Sequence, residues 1–107
     1  MTDFVTVATT DELANGDRLV VELNRKWIVL FNIDGQYYAI EDRCTHDDGE
    51  LASGEMIGCE IICARHGARF DVRDGRVTHP PALVDVPAYQ TRVIGNEVQV
   101  GPRKMRA

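Results

Sequence analysis

Lys26-Trp27-Ile28-Val29-Leu30-Phe31-Asn32-Ile33-Asp34-Gly35-Gln36-Tyr37-Tyr38-Ala39-Ile40 reads as a β-hairpin. Both arms are rich in β-branched and aromatic residues, and the Asp-Gly between them suits a two-residue loop because glycine tolerates positive φ. Residues 27–33 are apolar on both faces, which predicts a central strand with Trp27 in the core. Working outward, Asp74-Gly75 separates Arg69-Phe70-Asp71-Val72 from Arg76-Val77-Thr78 in the same manner. Gly95-Asn96 does so between Thr91-Arg92-Val93-Ile94 and Glu97-Val98-Gln99-Val100, where Val98 and Val100 alternate with Glu97 and Gln99. Further strands are expected at residues 5–8, 18–23 and 56–62. Residues 10–13 read as one helical turn capped by Thr10 or Asp11. Many short strands with closely spaced turns predict an all-β fold, an antiparallel β-sandwich or small barrel.

With 107 residues the chain is one domain, 1–107, burying roughly two-thirds of its unfolded surface. The basic tail Gly101-Pro102-Arg103-Lys104-Met105-Arg106-Ala107 is expected to fray. A net charge of −5 is the wrong sign for sequence-blind binding to nucleic acid. No apolar run is long enough to span a membrane, and Met1-Thr2-Asp3-Phe4 shows no secretion signal, so a cytoplasmic setting is expected.

Three cysteines, Cys44, Cys59 and Cys63, cannot close a disulfide framework, so the thiols are core, catalytic or metal-bound. Two segments concentrate soft ligands. Cys44-Thr45-His46 is followed by Asp47-Asp48-Gly49-Glu50, and Cys63-Ala64-Arg65-His66 by Gly67. Each supplies a thiolate and an imidazole after an expected strand, so Cys44, His46, Cys63 and His66 can meet as one metal pocket. By spacing alone that pocket suits zinc, or a [2Fe–2S] cluster with both cysteines on one iron and both histidines on the other. Cys59 reads as a small buried apolar residue, and His79 as an unliganded loop residue before Pro80-Pro81. Gly67 serves either a close approach of backbone or a positive φ. Asp47, Asp48 and Glu50 read as a solvated acidic loop, with docking onto a basic partner face as the alternative.

The pattern Cys44-x-His46-x16-Cys63-x2-His66-Gly67 resembles the Rieske signature. The resemblance continues through Arg69-Phe70-Asp71, the Asp74-Gly75 turn and the Pro80-Pro81 loop into the terminal hairpin. The chain is similar to the small, free-standing Rieske ferredoxins that carry electrons to multicomponent oxygenases. That resemblance implies one [2Fe–2S] cluster held by Cys44, His46, Cys63 and His66. It also implies a cluster-binding subdomain at about residues 40–80 and a proline loop packed over the cluster. The implied partners are a flavin-dependent ferredoxin reductase and a terminal non-haem iron oxygenase.

Two ferric ions, two sulfides and two thiolates sum to zero charge, and an electron enters a neutral centre more readily than a dianion. High-potential relatives carry a second cysteine pair where Gly49 and Arg65 stand, and hydroxyl donors where Ala68 and Phe70 stand. Their absence here implies a low potential. The rival readings are a non-redox module with a structural Cys₂His₂ zinc site and a small subunit of a nitrite-reductase-type enzyme. Catalysis of oxygenation by the chain itself is excluded by counting, because only His79 remains for a mononuclear iron site.

Overall fold

The computed structural model describes residues 3–104, and every regular element among them is a strand. The strands are β1 (Val5–Thr9), β2 (Arg18–Leu23), β3 (Lys26–Ile33), β4 (Gln36–Glu41), β5 (Glu55–Ile57), β6 (Glu60–Ile62), β7 (Arg69–Asp71), β8 (Val77–His79), β9 (Ala88–Ile94) and β10 (Glu97–Arg103). Six form a nearly closed, barrel-like sheet in the order β1-β10-β9-β4-β3-β2, and four form a second sheet, β5-β6-β7-β8. All pairings are antiparallel. No helix of the described residues is long and apolar enough to cross a membrane.

Strand β3 shows why its sequence is apolar throughout. Successive side chains point to opposite faces, so Ile28 and Leu30 enter one core with Leu13, Ala39, Val98 and Val100. Val29 and Phe31 enter another with Ile40, Leu51, Ile61, Phe70 and both Cys44 and Cys63. Trp27 departs from the expected core position and is 57% exposed. The second sheet covers Val29 and Phe31 but leaves the indole in an open groove with Val20, Asp42, Asp48 and Glu50.

The turns at Asp34-Gly35 and Gly95-Asn96 have the expected two-residue form, with Ile33 opposite Gln36 and Ile94 opposite Glu97. The structure has two further two-residue turns that the sequence reading does not place. Asn24-Arg25 joins β2 to β3 with φ of 53° and 66°, and Gly58-Cys59 splits the expected strand 56–62 into the β5–β6 hairpin. Asp74-Gly75 belongs to a longer loop closed by Gly75 N–H to Asp71 C=O, so β8 begins at Val77.

Residues 10–13 form a turn rather than a helix, capped by Thr9. Its N–H and Oγ1 donate to Glu12 Oε1 at 2.8 and 3.0 Å, and Glu12 N–H returns to Thr9 C=O. The tail is ordered through Lys104, against the expectation of fraying. β10 runs to Arg103, and Lys104 N–H donates to the Ala88 carbonyl at 2.7 Å. Gly101 explains part of this, since a Cβ there would lie 2.5 Å from the Phe4 ring. The rest of the tail, residues 105–107, lies outside the described residues.

Candidate metal centre

Two loops carry the four expected ligands, one after β4 and one after β6, and their backbones match. Cys44 N–H donates to the Gly49 carbonyl and Cys63 N–H to the Ala68 carbonyl, each five residues on, at 2.6 and 2.7 Å. In return the Cys44 carbonyl accepts from Asp48 N–H and the Cys63 carbonyl from Gly67 N–H, each four residues on. The residue at that fourth position has positive φ in both loops, 62° at Asp48 and 80° at Gly67. A Cβ on Gly67 would meet nothing within 4 Å, so glycine is needed there for its dihedral and not for space.

Local hydrogen bonds fix the first loop to its surroundings. Asp42 Oδ1 accepts from Leu51 and Ala52 N–H at 2.7 and 2.8 Å. Arg18 on β2 donates through Nη1 to the carbonyls of Ala52 and Gly54 at 2.7 and 2.5 Å, tying the first loop to the barrel. Thr45 Oγ1 donates to the Val84 carbonyl at 2.5 Å, which ties the proline-containing loop to the residue between Cys44 and His46.

The expected site residues come together in two tiers. Cys44 and Cys63 are wholly buried, while His46 and His66 are exposed with ring centroids 5.0 Å apart and planes at 79°. Asp47, read from sequence only as part of an acidic loop, stands between the tiers. One of its carboxylate oxygens lies within 4.8 Å of both thiol sulfurs, and an oxygen lies within 4.8 Å of a ring nitrogen of each histidine. Its Oδ1 accepts from Gly49 N–H at 2.9 Å, and its Oδ2 is buried without a hydrogen bond. The Gly49 N–H, with lesser help from Arg65 and the two imidazoles, holds this carboxyl below the usual carboxylate range. No sequence signal beyond adjacency to His46 marked Asp47 out.

Burial pushes the Cys44 thiol up, and the neighbouring Cys63 adds to this. Backbone N–H groups of His46 and Asp47 pull the other way by donating to its sulfur. Two buried sulfurs with backbone donors aimed at one of them, beneath two imidazoles, form a soft S₂N₂ donor set that fits a mixed-ligand [2Fe–2S] cluster. Cys59 falls outside this group, half-buried in the β5–β6 turn and not in the core as expected. His79 is exposed, with Nδ1 2.6 Å from the Pro80 carbonyl oxygen, and is likewise outside it.

Comparison with known proteins agrees with this geometry. Residues 3–90 match the family model described as Rieske [2Fe–2S] domain. The biphenyl dioxygenase ferredoxin subunit of Pseudomonas sp. strain KKS102 is 32% identical over 98 residues, covering 91% of this chain and 90% of that protein. The ferredoxin of carbazole 1,9a-dioxygenase from Nocardioides aromaticivorans IC177 superposes with a TM-score of 0.89 at 33% identity, covering 94% of this chain and 99% of that one. A complex of reduced oxygenase and oxidized ferredoxin in carbazole 1,9a-dioxygenase contains a chain matching at TM-score 0.89 and 26% identity, covering 99% of this chain and 100% of that one. The chain belongs to the Rieske [2Fe–2S] domain family, with one cluster to the chain and electron transfer, not catalysis, as its work.

Proposed function

We propose that Cys44, Cys63, His46 and His66 hold the cluster, and that the protein passes single electrons from a flavin-dependent reductase to a terminal non-haem iron oxygenase in the cytoplasm. The observation that carries this reading is the two-tier site, with both thiols buried and both imidazoles exposed. When bound, the cluster takes up and returns one electron. The buried thiols keep water and chelators from the inner side. The exposed rings give the electron a route to the surface that crosses no other part of the protein. Val84, whose carbonyl accepts the Thr45 bond, and its neighbour Leu83, 86% exposed, offer a partner an exposed apolar surface tied to the first ligand loop. Residues 40–80, with the two loops and the second sheet, act as the cluster-binding subdomain on a barrel scaffold, within a single domain spanning 1–107. Support for the oxygenase as partner comes from the relatives, which are ferredoxin components of dioxygenases, one of them in complex with an oxygenase.

EPR of dithionite-reduced protein tests the ligand set. A rhombic signal with an average g below that of an all-cysteine [2Fe–2S] centre is expected, whereas a colourless, iron-free protein with one bound zinc overturns the assignment.

The same reading gives the cluster a low potential. Ala68 and Phe70 are fully buried in the core that contains Cys63, and neither offers a hydroxyl. One hydrogen bond to a cluster sulfur stabilises the reduced state by about 1 kcal/mol, which is about 40 mV for one electron. Ala68→Ser and Phe70→Tyr are each expected to raise the midpoint by tens of millivolts in protein-film voltammetry. No rise in either variant refutes this account of the low potential.

A further inference from the structure

Arg65 sits on the second ligand loop between Cys63 and His66, and its side chain reaches back to the first. Its Nη1 lies 3.9 Å from Asp47 Oδ2. A Cβ on Gly49 would lie 3.1 Å from Arg65 Nε and 3.3 Å from its Cδ, so the arginine stem rests on the Gly49 backbone, where a larger residue would push it away. Asp47 Oδ2 is buried and lacks a hydrogen bond, with His66 Nδ1 3.5 Å away. Among the described residues, Arg65 is the one arginine or lysine paired with Asp47.

We infer that Arg65 is a clasp between the two ligand loops, covering Gly49 and neutralising Asp47, so that it retards loss of the cluster and supports its reduced state. This rests on the proposed ligand set. The clasp is a positioning and electrostatic device and touches no ligand atom. With Arg65 two-thirds exposed, the pair adds little to global stability, so the melting temperature is not where it shows. The loops must part before iron can leave, and such local opening has its own free energy, separate from that of global unfolding. A positive charge beside the site also favours the state that holds the extra electron.

The test is a chelator challenge of purified holoprotein, followed by visible absorbance at low and high salt, together with the midpoint potential. Arg65→Ala is expected to lose its cluster about three- to fivefold faster at low salt and to have a lower midpoint. Arg65→Lys should restore most of both. Asp47→Asn keeps an acceptor for Gly49 N–H; it should also speed cluster loss, yet raise the midpoint. The double variant should lose its cluster no faster than either single one, and high salt should bring the wild-type rate toward that of Arg65→Ala. A purely structural role would not move the two midpoints in opposite directions. A wild-type loss rate in Arg65→Ala, or single effects that multiply in the double variant, overturns the clasp. If instead the wild-type protein purifies without iron, it is the ligand assignment that fails.

Discussion

Cys44→Ser is expected to give a chain that keeps its six-stranded sheet but binds no iron, with visible absorbance lost and the iron content falling from about two per chain to none. The thiol is wholly buried and packed with Cys63, Leu51, Ile61 and Phe70, so water cannot enter to complete a partial ligand set. Serine supplies a hydroxyl where a soft thiolate is required. The barrel interior, built from Leu13, Ile28, Leu30, Ala39, Val98 and Val100, includes neither cysteine and retains its apolar contacts. Loss of the cluster removes a cross-link between two loops, and loss of a metal centre is among the largest single effects on stability. The melting temperature should fall by more than about 10 °C. Hydrogen exchange should rise in β5–β8 and far less in β9 and β10. Cys59→Ser, in the half-buried β5–β6 turn, is the control and should retain full iron. Iron retained in Cys44→Ser, or lost in Cys59→Ser, would contradict the proposed ligands.

Gly54→Ala is expected to be the most damaging single-methyl change outside the proposed ligands. A Cβ at this position would lie 2.0 Å from the Ile62 carbonyl oxygen and 3.1 Å from that of Leu51. Both obstacles are backbone, so no rotamer relieves the clash. Ile62 precedes Cys63, which means the displaced carbonyl adjoins the second ligand loop. The Gly54 carbonyl also accepts one of the two Arg18 hydrogen bonds that fasten the first loop to the barrel. Overpacking of this severity costs about 3 kcal/mol, or a melting temperature lower by about 12 °C or more, with reduced cluster incorporation. Gly58→Ala faces open space at φ 62° and should cost only about 1–2 kcal/mol for its dihedral. Scanning calorimetry and iron analysis on both variants decide the matter. Equal losses would show that backbone contact at Gly54 is not what limits it.

What the sequence disclosed follows from which physical signals are local. The turns at Asp34-Gly35 and Gly95-Asn96 were legible because glycine marks a positive φ within two residues. Asn24-Arg25 has positive φ at both positions, as Asp34-Gly35 does, but without a glycine it left no mark. The β5–β6 turn was masked because Ile57, Cys59 and Ile61 sustain an apolar pattern through Gly58, where a chain reversal and a continuous strand look alike. Trp27 obeyed the alternation of β3, lying on the face of Val29 and Phe31. Its exposure depends on where a second sheet ends, which no local pattern encodes. The four proposed ligands stood out as chemistry, since pairs of cysteine and histidine in short segments are rare without a metal. The matched backbones of their loops were not, because Asp48 and Gly67 adopt the same conformation with unlike side chains. Asp47 was hidden for a related reason: a carboxylate in an acidic run looks solvated until the fold buries one of its oxygens.

The standing of His46 and His66 in water has a consequence for speed. With the imidazoles as ligands, a molecule that presses against either ring is already within tunnelling range, so no wire of side chains has to be maintained and none can be severed by mutation elsewhere. The pace of such a courier is then governed by how briefly it lingers at each stop, and a loose, quickly broken handshake serves it better than a tight one.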